Sequence, residues 1–177
     1  MAQNFEQNTS VIDSIHAALQ KLTGLHRQLM ETVRMEREAL VAADIRRIEE
    51  ATVAKQALVE AIRQAESRRI GHVAELAVIL RKPVRELTLP AIIIQVQGHD
   101  AKRAEQLRSA FNALTLLIKR IAEQNTSNQR LVEESLMHVQ QMKGNVLGET
   151  TPKANTYTAK GQRSGAQPGA RLFSKEA

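Results

Sequence analysis

The stretch LRSAFNALTLLIKRIAEQNTSNQRLVEESLMHVQQMKGNV, residues 107–146, decides the fold. Read every three or four positions, it gives Leu107, Phe111, Leu114, Ile118, Ile121, Asn125, Asn128, Val132, Ser135, Val139, Met142 and Val146. Steps of four and three alternate without a slip. That is a heptad seam, a narrow stripe along one continuous helix. At 1.5 Å of rise per residue, a helix of about 45 residues is roughly 65–70 Å long. Helices that cover it must be long as well. Asn125 and Asn128 stand where an apolar pair is expected, and polar residues in a seam set register at some cost in stability.

Working outward from that helix, the chain before it carries two more long patterns. Ser10 reads as an N-cap, with Asp13 in the first turn. Ile12, Ile15, Leu19, Leu22, His26, Leu29, Val33, Glu36 and Leu40 then follow the same spacing. Asp44 interrupts the pattern and reads as the cap of a second helix. Ile48, Thr52, Lys55, Val59 and Ile62 mark its inner face, followed by Val73, Leu76 and Leu80. Lys82-Pro83 stops it, because the proline ring clashes with α geometry in the residue before it. Thr88 then reads as the cap of a short helix with Pro90 in its first turn. Gly98 reads as its stop and Asp100 as the cap of the final helix. Ile92-Ile93-Ile94 is not read as a strand, because nothing in the chain offers it a partner.

After Val146 the periodicity ends. Five of the eight glycines lie at Gly144 or later, with Pro152 and Pro168. Such a segment buries too little apolar surface to offset its ordering entropy. The expected architecture is therefore all-α. It is an elongated antiparallel bundle of three long helices and one short one over residues 1–147, followed by a disordered basic tail over residues 148–177.

Composition narrows the function. The 177 residues include 42% hydrophobic ones, but only 2% aromatics and no Trp. Leu, Ile, Val and Ala must build the core, which suits helices. There is no cysteine, so disulfides and thiolate metal sites are excluded. The polar start carries no apolar signal segment, and no apolar run approaches the ~20 residues of a membrane span. A cytoplasmic location without membrane insertion is expected. The net charge is +6, and the tail is its densest part.

The search for catalytic patterns finds no glycine-rich phosphate loop and no G-x-S-x-G. Asp13/His16 and Glu134/His138 have helical spacing, but a di-iron bundle needs two Glu-x-x-His pairs with further inward glutamates. No enzyme, no metal and no cofactor are expected. Within the helical body, Arg81, Lys82, Arg85, Lys102, Arg103 and Arg108 fall where helix 2 and the final helix are joined. Glu86 and Glu105 are interspersed and no aromatic stands by to stack on a base, so nucleic acid is not the expected partner. If the helices run up, down and up, Glu36, Lys55, Asn125 and Asn128 meet in one structural polar layer.

These residues resemble a family. Glu36-x-x-Ala39-Leu40, then Asp44, Ile48, Lys55, Leu58-Val59 and Arg68-Arg69, then Asn125-x-x-Asn128, and finally Tyr157 followed by Gly161, look like the FlgN family of flagellar type III export chaperones. The resemblance covers roughly the whole chain. It implies a chaperone that binds hook-associated (hook–filament junction) proteins through their terminal amphipathic helix, prevents premature assembly, and delivers them to the export gate.

The client site is expected on the C-terminal half of the final helix, at Leu131, Val132, Leu136, Met137, Val139, Met142 and Val146. Helix 1, if antiparallel to it, would offer only its polar start opposite this end. The resemblance also implies that Tyr157, the single tyrosine, docks on the cytoplasmic domain of the export-gate protein. Two other readings stand beside this one: a structural coiled-coil homodimer without a client, and a basic helical module on nucleic acid.

Overall fold

The computed structural model describes the backbone of residues 2–146 and the side chains of residues 8–144. Its four α-helices are α1 (Ala2–Val41), α2 (Ile45–Leu80), α3 (Leu89–Gln97) and α4 (Ala101–Val146), with a 3₁₀ turn at Val84–Glu86. No strand occurs among the described residues. The chain divides into two compact units, Met1–Glu134 and Ser135–Ala177, and α4 contributes residues to each. The expected tail, residues 148–177, lies outside the described residues.

Local chemistry sets the helix boundaries. Asp44 caps α2 by accepting from the Arg47 amide at 3.1 Å. Thr88 caps α3 through the Ala91 amide, and Pro90 sits in the first turn, where a missing N–H costs nothing. Asp100 accepts from the Arg103 amide at 3.0 Å at the start of α4. Ser10 is not a cap. It lies inside α1, which begins at Ala2, and its carbonyl accepts from the Ser14 hydroxyl at 3.0 Å. Gly98 follows α3 with φ −68°, a right-handed conformation open to any residue, so its stop signal is not a left-handed turn.

In the first unit the helices run up, down and up. Lys55 on α2 meets Glu36 on α1 across an antiparallel pair. Asp13 meets Arg103, and Arg37 meets Ser127, both ninety residues apart, so α1 and α4 are parallel. This up-down-up order is the one in which the polar layer can form, and it excludes the case of a helix 1 antiparallel to the final helix. The chain returns along α2 to the level where it began, crosses through α3, and starts α4 beside α1.

The inner face of α2 holds the expected Ile48, Lys55, Ile62, Val73, Leu76 and Leu80, and differs from the expected one at two positions. Thr52 and Val59 are exposed, whereas Ala51 and Ala65 are buried and Lys55, Leu58, Ile62 and Arg69 half-buried. The seam used is Ala51, Lys55, Leu58, Ile62, Ala65, Arg69, His72 and Leu76, again in steps of four and three. Two alanines made it quieter in sequence than the stripe through Thr52 and Val59 beside it. Their size is also why it faces inward: α1 and α2 are the closest helix pair, with Cα atoms within 8 Å of each other. Larger side chains bridge the gap to α4.

The main core joins Ile15, Leu19 and Leu22 of α1, Val73 and Leu76 of α2, Ile92 and Ile93 of α3, and Leu107 and Leu114 of α4. A smaller cluster of Leu29, Val33 and Ile121, with Leu58 and Ile62 against it, continues along the bundle.

Candidate functional site

One helical turn beyond that smaller cluster the interior turns polar. Lys55 Nζ donates to both Glu36 carboxylate oxygens, at 3.0 and 2.9 Å. Asn128 Nδ2 donates to Glu36 Oε2 and to the Val33 carbonyl, each at 3.0 Å. Gln124 Nε2 donates to Asn128 Oδ1 at 3.1 Å. The Glu36 side chain is only 13% exposed and Asn128 3%, so a shift along the seam would strand a desolvated carboxylate. Of the four residues expected in this layer, Glu36, Lys55 and Asn128 meet. Asn125 is half-buried without a hydrogen bond to the others, and Gln124, one position earlier, supplies the amide in its place. Gln124 lies off the 3-4 stripe. Only its four-residue spacing to Asn128 signals it.

His26, another polar residue on the seam, donates from Nδ1 to the Leu22 carbonyl at 2.7 Å and is satisfied within its own helix. Asp13 does not pair with His16; it receives two hydrogen bonds from Arg103. Asp13 and the Asp100 carboxylate together hold the Arg103 guanidinium well above its ordinary pKa, and Arg103 in turn holds Asp100 below the usual carboxylate range. Other members of the basic concentration are also engaged: Lys82 bonds Gln95, and Arg108 bonds Gln97 and faces Glu105. Among the described residues no group of His, Asp and Glu is placed to hold a metal ion.

α1 ends at Val41, four residues after the Arg37 that meets Ser127 of α4. Leu131 is half-buried. Past it, Val132 is 47% exposed, Leu136 57%, Met137 56%, Val139 61% and Met142 55%. Val132, Leu136, Val139 and Met142 follow helical spacing and make one stripe, with Met137 to the side. The side chain of Val146 and the whole of Tyr157 lie outside the described residues. Exposed apolar residues occur elsewhere too, but α2 spreads five of them between Ile45 and Val78, whereas these five fall within residues 132–142. Scattered apolar residues are ordinary on any surface; a concentrated set is not.

The FlgN protein family model matches residues 1–165. This chain belongs to the FlgN family. Membership makes it a flagellar export chaperone in general terms, a class that works by binding protein. Comparison with curated proteins and with solved structures gives no match. In this FlgN-family chain, no described helix is long and apolar enough to cross a membrane.

Proposed function

We propose that the chain is a flagellar export chaperone that binds hook-associated proteins through their terminal amphipathic helix, keeps them from assembling early, and hands them to the type III export gate in the cytoplasm. The observation that carries this reading is the apolar stripe of α4 formed by Val132, Leu136, Val139 and Met142. Leu131, Met137 and Val146 extend the proposed contact. A partner helix would lay its own apolar face along such a stripe, with anchors at three- and four-residue steps. Methionine suits this use, because its unbranched thioether adapts to anchors of different shape.

The test is the double variant Leu136→Asp/Met142→Asp in the full chain, with binding of a junction-protein terminal helix measured by calorimetry. We expect binding to fall at least a hundredfold while melting temperature and helicity stay at wild-type values. Loss of the fold would make these residues structural and sink the reading.

The same stripe equally fits a second copy of the chain. Sedimentation of the wild type and the double variant separates the two cases. A wild-type dimer that becomes a monomer on substitution, with no junction-protein binding in either, supports the scaffold.

Tyr157 is the proposed contact with the cytoplasmic domain of the export gate. A tyrosine offers a large contact area while losing only two side-chain torsions, and a short motif in a polar segment binds weakly and reversibly. Reversibility suits a protein that must release its cargo.

A further inference from the structure

A cavity of about 310 Å³ opens where α1, α2, α3 and the start of α4 come together. Its walls are Ile12, Leu76, Leu80, Ile92 and Val96. Leu76 and Ile92 are almost fully buried, so the walls are part of the main core and hold their shape without an occupant. Three further observations describe what would fill it.

The first is an orphaned acceptor. Asn8 lines the cavity, and its Oδ1 is buried with no hydrogen-bond partner. A buried carbonyl oxygen left unpaired has lost its hydration without return, so an occupant that brings a donor recovers that penalty. The second is the rim. Arg103 is bonded to Asp13 at 2.8 Å and to Asp100 at 2.6 Å, and Lys82 donates to Gln95 Oε1 at 3.3 Å. These charges are already answered within the chain, so nothing at the mouth selects an ion. The third is size. The volume lies at the small end of ligand sites, with room for about ten water molecules. That admits two aliphatic side chains and excludes a whole helix. The exposed His99 marks the open side.

We infer that this cavity is a second peptide-binding site, which takes a neutral extended segment through two adjacent aliphatic side chains, with a backbone N–H of the segment donating to Asn8 Oδ1. A peptide fits better than a free amphiphile, because it presents apolar side chains and an N–H at fixed separation and continues out through the open mouth. The site shares no residue with the α4 stripe, and its standing does not depend on the client reading.

The test uses the full chain labelled with ¹⁵N and titrated with N-acetyl-Leu-Leu-amide, with N-acetyl-Gly-Gly-amide and 1-hexanol as comparison probes. The Leu-Leu probe should give saturable shifts at the amides of Ile92, Gln95, Val96 and His99, while the other two leave them in place at equal concentration. Asn8→Ala should weaken the Leu-Leu probe at least fivefold, with a melting temperature equal to or above the wild type. His99→Trp, at the exposed mouth, should weaken it as well by narrowing entry. Shifts that fail to saturate, or binding by the Gly-Gly probe as tight as by Leu-Leu, overturn the proposal. Hexanol binding as tightly as Leu-Leu would make this a site for small amphiphiles and overturn the peptide reading. Unchanged affinity in Asn8→Ala overturns the role of the orphaned acceptor and the proposal with it.

Discussion

Ala43 and Arg81 carry φ values of 52° and 53°, the left-handed region that a Cβ disfavours. Both follow the end of a helix. Behind them the Asp44 amide bonds the Ala39 carbonyl and the Lys82 amide bonds the Ala77 carbonyl, each at 3.0 Å, the six-residue closure in which glycine is the usual choice. Ala43→Gly should therefore stabilise the protein by about 1 kcal/mol, read as a raised urea midpoint at unchanged slope. A lower midpoint would mean that entropy of the unfolded chain outweighs the relief of strain. The polar layer gives a second test. Lys55→Met leaves the Glu36 carboxylate without its cation and should cost about 2 kcal/mol, less than the ~3–5 of full burial because both side chains keep some solvent. Adding Glu36→Leu should restore most of that loss. If the double variant is no better than the single, the pair contributes more than mutual neutralisation. Asp100 has a pH signature. Its carboxyl is held low by Arg103, so its contribution is present above the ordinary carboxylate pKa and is lost as pH falls through the lowered value. Asp100→Asn should flatten that part of the acid limb of a stability profile measured from pH 2 to 6.

At the scale of the element, two glycines stand in helix interiors. A methyl group added at Gly24 or at Gly71 meets nothing within 4 Å. Glycine in a helix costs roughly 0.8–1.0 kcal/mol relative to alanine, so Gly24→Ala and Gly71→Ala should each stabilise by about that amount and should add. Neither glycine is required by packing, and a destabilised Gly24→Ala would point to a bend that α1 uses. The seams show how far periodicity reaches. On α4 it matched burial at Leu107, Leu114, Ile121 and Asn128, while Ile118 is 48% exposed. On α2 the helix was legible and most of its inner face with it, but Thr52 and Val59 are exposed while Ala51 and Ala65 turn inward. Hydrophobicity marks alanine weakly, and close approach of two backbones favours the smallest side chain.

For the whole molecule, the open question is how work is divided between the helical body and residues 148–177. If the tail takes no part in the fold, truncation after residue 147 should leave the melting temperature within about 2 °C of the full chain. A larger fall would mean that Leu172 and Phe173 pack on the body. Tyr157→Ala should leave affinity for the junction-protein helix unchanged. It should weaken binding to the isolated gate domain at least tenfold, about 1.4 kcal/mol. If client binding is lost instead, the proposed separation of stripe and tail is wrong.

By itself the sequence determined that the described residues form helices, where those helices break, and which family the chain belongs to. Those properties rest on local signals: heptad spacing, Asp44, Thr88 and Asp100 as caps, Pro83 as a stop, and an ordered set of family residues. Tertiary structure alone decided the rest. Parallel pairing of α1 and α4 follows from the chain coming back along α2 and crossing at α3, which no local pattern encodes. The exchange of Asn125 for Gln124 in the polar layer is a matter of helix rotation, as is the inward turn of Ala51 and Ala65. Rotation is set by how tightly two particular surfaces fit. The cavity with its unpaired Asn8 oxygen arises where four elements separated along the chain meet, so no single stretch of sequence announces it.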